Sequence, residues 1–323
     1  MIYMKNLYKV GIVLLLAIAI GFYFYRNYKS EVVIEPLKVS SADAPVDKLI
    51  TRVIKDKSFD KKNGLNIEFS YTAPGETVRV ISEKVGGVEV GSIPTLSLVE
   101  VNSKGHDLVA FAPLIWGSLD FIVDANSHYQ SLDNLKGARV AIRPKVSAAY
   151  KSLALAMKVA GFNLEKDYRL TFGSIPDNLA SFFKKEVDAV LSVPFGGADL
   201  IAEGKVRTVL DLESRWRNTT GSRMSFAMMS AHKSWIDAHP ETFKKVSRVF
   251  LEAEKYVFEH PEIVADYKDM LGIKTEKGLE VAKNDVKRVI PDSWDPEVHK
   301  MAIKKAIEFG LVPNIPYDDF FIK

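Results

Sequence analysis

Short β-branched runs alternate with stretches of helical period along most of the chain. The segment 37–40 reads as a strand and 46–57 as a helix. An Asn63-Gly64 turn then leads into an alternating strand over 65–71. Next come a helix over 74–85, a strand over 88–90, and a strand pair at 109–111 and 119–123, with Pro113 and Trp116-Gly117-Ser118 between its members. The polar, irregular stretch 124–134 reads as a crossing between two halves. After it the theme repeats: strand 139–142, helix 148–160 stopped by Gly161, strand 168–172, helix 176–185, strand 189–192, loop 194–197 and strand 206–211. A basic segment, 215–223, has no clear period, and 226–230 reads as a strand returning to the first half. The remainder, 233–323, is mostly helical, with His239-Pro240-Glu241 and His260-Pro261-Glu262 as helix starts where Pro takes an early position. Strand and helix in alternation predict an α/β architecture with parallel sheets.

In such sheets ligands bind beyond the carboxyl ends of the strands. Four loops occupy that place, 40–45, 72–77, 91–95 and 143–150, and all are rich in small hydroxyl residues, Gly or Pro. Turn chemistry explains any one of them; four at the same end of successive strands suggest a shared site. The fullest case is 135–157, a strand, a loop and an Ala/Leu-rich helix. Ser147 is the expected N-cap, which leaves free backbone amides and the positive end of the helix dipole facing the loop. Arg143 and Lys145 add positive potential, and Tyr150 offers a hydroxyl or a ring face. An ordinary capped helix with solvated basic residues is the plainer alternative for that segment.

The run 10–25, VGIVLLLAIAIGFYFY, is apolar and uncharged, with Lys5 and Lys9 before it and Arg26 and Lys29 after it. It reads as a signal peptide or membrane anchor within residues 1–30. Ala17-Ile18-Ala19 lies inside the run and Ala42-Asp43-Ala44 far beyond it, so an uncleaved anchor is the favoured expectation. The chain's 323 residues predict two lobes. A formal charge of +3 without a dense basic, aromatic-interleaved run argues against nucleic acid as a partner. The absence of cysteine excludes disulfides, thiolate metal sites and a cysteine nucleophile. The six histidines are scattered without metal-ligand spacing, and no nucleophile elbow or Gly-rich phosphate loop occurs. Neither a metal, a cofactor nor catalysis is expected.

Four motifs carry a resemblance. Gly91-Ser92-Ile93-Pro94-Thr95 follows a strand, and Leu135-Lys136-Gly137 precedes Val140-Ala141-Ile142. Glu186-Val187-Asp188-Ala189-Val190 leads to Val193-Pro194-Phe195, and Phe309-Gly310-Leu311-Val312-Pro313 closes the set. In this order they resemble the solute-binding proteins of ABC importers, in the branch for nitrate, sulfonates, taurine and thiamine-pyrimidine precursors, over roughly residues 36–323. The resemblance implies a two-lobed type II periplasmic-binding-protein fold behind an N-terminal hydrophobic helix. Lobe 1 would take 36–124 and 226–323, and lobe 2 would take 125–225. The ligand loops it implies are 41–44, 75–77, 92–94, 145–149 and 194–196, which bring in Pro94 and Phe195. Two features depart from the pattern: Glu89-Val90-Gly91 replaces the usual Asp-Ile-Gly, and the first loop lacks its common aromatic. Synthases of this branch use a cysteine-rich iron-binding motif, and this chain has no cysteine.

The function implied is capture of a small organic or inorganic anion by closure of two lobes, and delivery to an importer's permease and ATPase. The protein is expected to act as a monomer outside the cytoplasm, tethered by its N-terminal helix or released after cleavage. Ser41, Thr77, Ser92 and Ser147 would hold a sulfonate, nitrate or carboxylate, with a charge-assisted bond from Arg143 or Lys145. Asp43 and Glu76 lie in two of the same loops. They are caps or solvated residues in an anion site, or they recognise an amino group as in a taurine-like zwitterion. Trp116 is a core residue or stacks on an organic ligand. The alternatives are a binding protein for a pyrimidine-type or cationic metabolite, an enzyme on the same fold, and a membrane-tethered sensor needing a partner.

Overall fold

The computed structural model describes residues 35–117, 119–209 and 212–322. The expected anchor lies outside these residues, and among the described ones no helix is long and apolar enough to cross a membrane.

Among the described residues ten strands form two five-stranded sheets. The first contains β1 (Leu37–Ala42), β2 (Ile67–Thr72), β3 (Val90–Pro94), β4 (Leu108–Trp116) and β10 (Ser225–His232), and the second contains β5 (Phe121–Asp124), β6 (Arg139–Ile142), β7 (Arg169–Phe172), β8 (Ala189–Leu191) and β9 (Val206–Val209). The orders are β2-β1-β3-β10-β4 and β7-β6-β8-β5-β9. In the first, β1 runs parallel to β2 and β3, while β10 is antiparallel to both of its neighbours. The second repeats this arrangement, with β6 parallel to β7 and β8, and β5 antiparallel to β8 and β9. In each sheet the antiparallel fourth strand is the one the chain enters after leaving the other sheet.

This topology corrects part of the sequence reading. β4 and β5 do not pair: β4 lies in the first sheet and β5 in the second. The chain therefore crosses at 117–120, not at 124–134, and crosses back at 221–224. Pro113 is no interruption, because β4 is an edge strand, where a missing N–H is tolerated. The free side of that edge is partly covered by the carboxyl-terminal tail, with Ile322 N donating to Ala110 O at 2.9 Å. The expected loop 91–95 is mostly strand, and a helix over Thr95–Asn102 follows it at once. Six of its eight residues, Thr95, Leu96, Ser97, Leu98, Val99 and Val101, are buried and only Glu100 and Asn102 are half-exposed, so helical period could not reveal it. The basic segment 215–223 is largely a helix, Leu212–Thr220.

The other elements follow from their patterns. In the helix Pro45–Asp56, Pro45 occupies an early position, and Val46, Leu49, Ile50, Val53 and Ile54 recur at helical spacing on the buried face. They share a core with Val246, Val249, Phe250 and Val257 of the helix Pro240–Glu259. Phe250 meets Phe69 and Phe111 edge-on, each pair with ring centroids 6.3 Å apart. Around the second sheet, Phe121, Val140, Leu153, Met157 and Phe162 belong to one buried cluster. Fully burying a side chain of this size contributes about 1.5–3 kcal/mol. Close pairing of β1 and β3 requires Gly91, where a Cβ would lie 2.7 Å from the Ser40 carbonyl oxygen.

Candidate functional site

A cleft of about 180 Å³ is lined from both sheets. The first contributes the turn after β1 (Ala42 to Asp47), Pro74, Gly75, Thr77 and Val78 after β2, and Ser92, Ile93 and Pro94 of β3. Ile115 and Trp116 at the end of β4 and Phe226 and Ala227 at the start of β10 complete that side. The second contributes Arg143 and Ser147 to Ala149 after β6, Ile175 after β7, and Val193 and Pro194 after β8. All six parallel strands thus deliver their carboxyl ends to one place, where α/β sheets hold ligands.

On the second-sheet side, Ser147 caps the helix Ala148–Val159 as expected, its Oγ accepting from Tyr150 N at 3.2 Å. Arg143 stands beside it, half-buried, and its guanidinium has no hydrogen bond or ion pair among the described residues. Lys145 and Tyr150 do not line the cleft. Both turn to Glu165, Lys145 Nζ lying 2.5 Å from Oε1 and Tyr150 Oη donating to the same oxygen at 2.6 Å. That pairing holds Glu165 below the usual carboxylate range, and burial with Glu165 beside it pushes the Tyr150 phenol up to about 12.

On the first-sheet side the hydroxyls are already engaged. Thr77 and Ser92 are buried and already bonded: Thr77 Oγ1 shares a hydrogen bond of 2.7 Å with Thr72 Oγ1, and Ser92 Oγ accepts from Ala42 N at 3.2 Å. Asp43 lines the cleft but pairs with Lys48 at 2.5 Å. Glu76 lies off the cleft, paired with Arg79 one helical turn on, also at 2.5 Å. Ser41 sits behind the wall, its Oγ donating to Asp47 Oδ1 at 3.2 Å. Phe195 is turned away into the core that holds Leu279 and Val286, on a left-handed backbone of φ 63°.

Asp47 is the site residue the sequence reading missed. It lies in the first turn of the helix Pro45–Asp56, is only 3% exposed and lines the cleft. Its Oδ1 accepts from Ser41 Oγ and Ala42 N, both at 3.2 Å, and no cation lies beside it. Burial pushes its carboxyl up to about 6 against the opposing pull of the Ser92, Ala42 and Ser41 hydrogen bonds. An acid at the start of a helix reads as an ordinary dipole partner, so its burial left no signal in the sequence.

Trp116 is 2% exposed and both lines the cleft and belongs to the core. His299 stacks on it with centroids 5.6 Å apart, and the Arg223 guanidinium lies 5.1 Å over the ring. Its indole N–H is buried without a partner among the described residues. His299 is fully buried, bonded through Nδ1 to Ser225 Oγ at 2.5 Å, and burial pushes its imidazole down to about 3.

Of the twelve residues expected at a ligand, the cleft brings together Asp43, Thr77, Ser92, Pro94, Trp116, Arg143 and Ser147. Ser41, Glu76, Lys145, Tyr150 and Phe195 fall outside its lining. Among the described residues no group of acids or histidines is arranged to hold a metal ion.

The family model described as NMT1/THI5 like matches residues 51–263. The chain belongs to this family. Its fold is that of the periplasmic aliphatic sulphonate-binding protein of Escherichia coli, with a TM-score of 0.67 at 20% identity over 87% of this chain and 94% of that one. The alkanesulfonate-binding protein of Xanthomonas axonopodis pv. citri, solved with MOPS bound, superposes with a TM-score of 0.65 at 18% identity over 86% and 94% of the two chains. At these identities the likeness speaks for the fold alone.

Proposed function

We propose that this chain is the extracytoplasmic solute-binding component of an ABC importer and captures a small anion of the sulfonate kind, with taurine- and nitrate-like anions as finer possibilities within the class. The observation that carries the reading is Arg143, a guanidinium on the cleft wall without a partner, beside the capped start of the helix Ala148–Val159. A cation and free helix amides facing one gap are complementary to an anion. The two sulfonate-binding neighbours on the same fold support the choice of class.

In this reading one lobe is the first sheet with its helices and the other is the second sheet with its own. The crossings at 117–120 and 221–224 act as a two-strand hinge, which moves the boundary expected at residue 124 to the earlier crossing. The ligand binds one wall and the other closes over it, by an amount set by its preference for the closed form. The apolar run 10–25 tethers a monomer to the outer face of the membrane, within reach of the importer's permease and ATPase.

Isothermal titration of the full chain with short alkanesulfonates, nitrate and carboxylates tests the reading. Saturable binding of one class is expected, and Arg143→Gln should weaken it roughly ten- to hundredfold, the worth of one hydrogen bond to a charged group. No binding of any anion, or binding unchanged in Arg143→Gln, would overturn it.

A further inference from the structure

The two walls carry one uncompensated charge each. Arg143 lacks a carboxylate among the described residues, and Asp47 lacks a cation. The local duty of Asp47 is to accept from Ser41 Oγ, Ala42 N and the Ser92 hydroxyl, at the turn between β1 and its helix. An Asn or Thr side chain would accept hydrogen bonds there without taking a charge out of water. The negative charge is therefore more than the turn needs. Neighbouring charges do not explain it either, since Lys48 is engaged by Asp43 and Arg79 by Glu76 and Glu83. Buried carboxylates are ordinarily paired, and the residue lines the cleft.

We infer that Asp47 is a specificity-determining residue which receives a cationic nitrogen of the ligand, so that the captured molecule is a short zwitterion with its anionic end at Arg143 and its ammonium at Asp47. The inference rests on the anion-capture reading and narrows it. It also relocates the amino-group recognition that the sequence suggested for Asp43 and Glu76, both of which are already paired with cations. A cleft of about 180 Å³ lies below the ~300–1,000 Å³ of pockets for drug-sized ligands, which suits an ω-ammonium sulfonate or carboxylate of two or three carbons. Such a molecule neutralises both walls at once, whereas a plain alkanesulfonate would close the cleft over an unpaired carboxylate.

Matched probes test this on the full chain at pH 7.5: 2-aminoethanesulfonate against ethanesulfonate, and 3-aminopropionate against propionate, by isothermal titration. The ammonium-bearing member of whichever pair binds should bind at least tenfold tighter, the size of a charge-assisted hydrogen bond formed or left unmade. In Asp47→Asn, which keeps a side-chain carbonyl for Ser41 and Ala42, that ratio should fall to near one. Equal affinities within a pair that binds would overturn the inference and leave anion capture standing. So would a preference that survives Asp47→Asn. No binding of any of these probes or of nitrate would overturn both. The comparison within pairs needs only the wild-type chain, so a variant that fails to fold does not spoil the test.

Discussion

The wall built from the first sheet and the wall built from the second follow one strand plan, a parallel trio with an antiparallel fourth strand, and present opposite charges. On the first the charge is an acid buried among hydroxyls that already have partners, and a neutral imidazole lies behind its tryptophan. On the second it is a half-buried guanidinium next to a helix cap, with Lys145 and Glu165 paired in solvent nearby. The strand plan repeats because sheets packed by helices have few stable arrangements. Chemistry is set in the turn residues, which packing leaves free to vary. The contrast also locates sensitivity to pH: a buried group titrates against the fold, an exposed one against water.

Three measurements sharpen or break that contrast. The largest effect is expected from His299. Its pKa is about 3 in the fold against 6.5 when exposed, so the unfolded chain takes up a proton first as the pH drops. Stability from this group is complete above pH 6.5 and lost progressively below it, by about 4 kcal/mol near pH 3. Urea unfolding of His299→Gln should show a shallower decline between pH 6.5 and 4 than the wild type; parallel curves would deny the first wall its buried titration.

Asp47 has the opposite sign and a smaller size. Its pKa is raised from 3.8 to about 6, so the folded chain holds the proton more tightly and stability falls as the pH rises through that window. Above pH 6 the cost is complete. Asp47→Asn is therefore expected to unfold at higher urea than the wild type at pH 8, by about 1–3 kcal/mol, with the advantage gone by pH 4. A variant less stable at both values would show that the hydrogen bonds outweigh the charge.

The smallest effect belongs to the second wall. Ser147→Ala removes the hydroxyl that accepts from Tyr150 N, and should cost about 1 kcal/mol at any pH between 5 and 9. A pH-dependent loss would mean that this cap is coupled to a titrating neighbour.

The sequence carried the second wall better than the first. Ser147, the strand before it and the helix after it stand where their pattern placed them, because a cap, a β-branched run and a 3.6-residue period are local signals. What escaped was settled by distant neighbours. The helix Thr95–Asn102 is buried at six of its eight positions, so no broad polar stripe marked it. Asp47 and Glu76 are both acids in a first helical turn, one buried at the cleft wall and bonded to Ser41 and Ala42, the other joined to Arg79 in solvent. Phe195 left the ligand loop for a core shared with residues distant in the chain, Leu279 and Val286 among them. Local chemistry told strands from turns; the pairing of charges needed the tertiary structure.

The two crossings have a consequence for how the chain acquires its fold during synthesis. The second sheet is drawn from one unbroken stretch, 121–209, and all of its strands are in hand once that stretch has emerged. The first sheet must wait, with β3 and β4 held apart, for a strand that begins at Ser225. Vectorial growth therefore lets the later half mature before the earlier one, and leaves two unpaired edges in the nascent chain for a chaperone to guard.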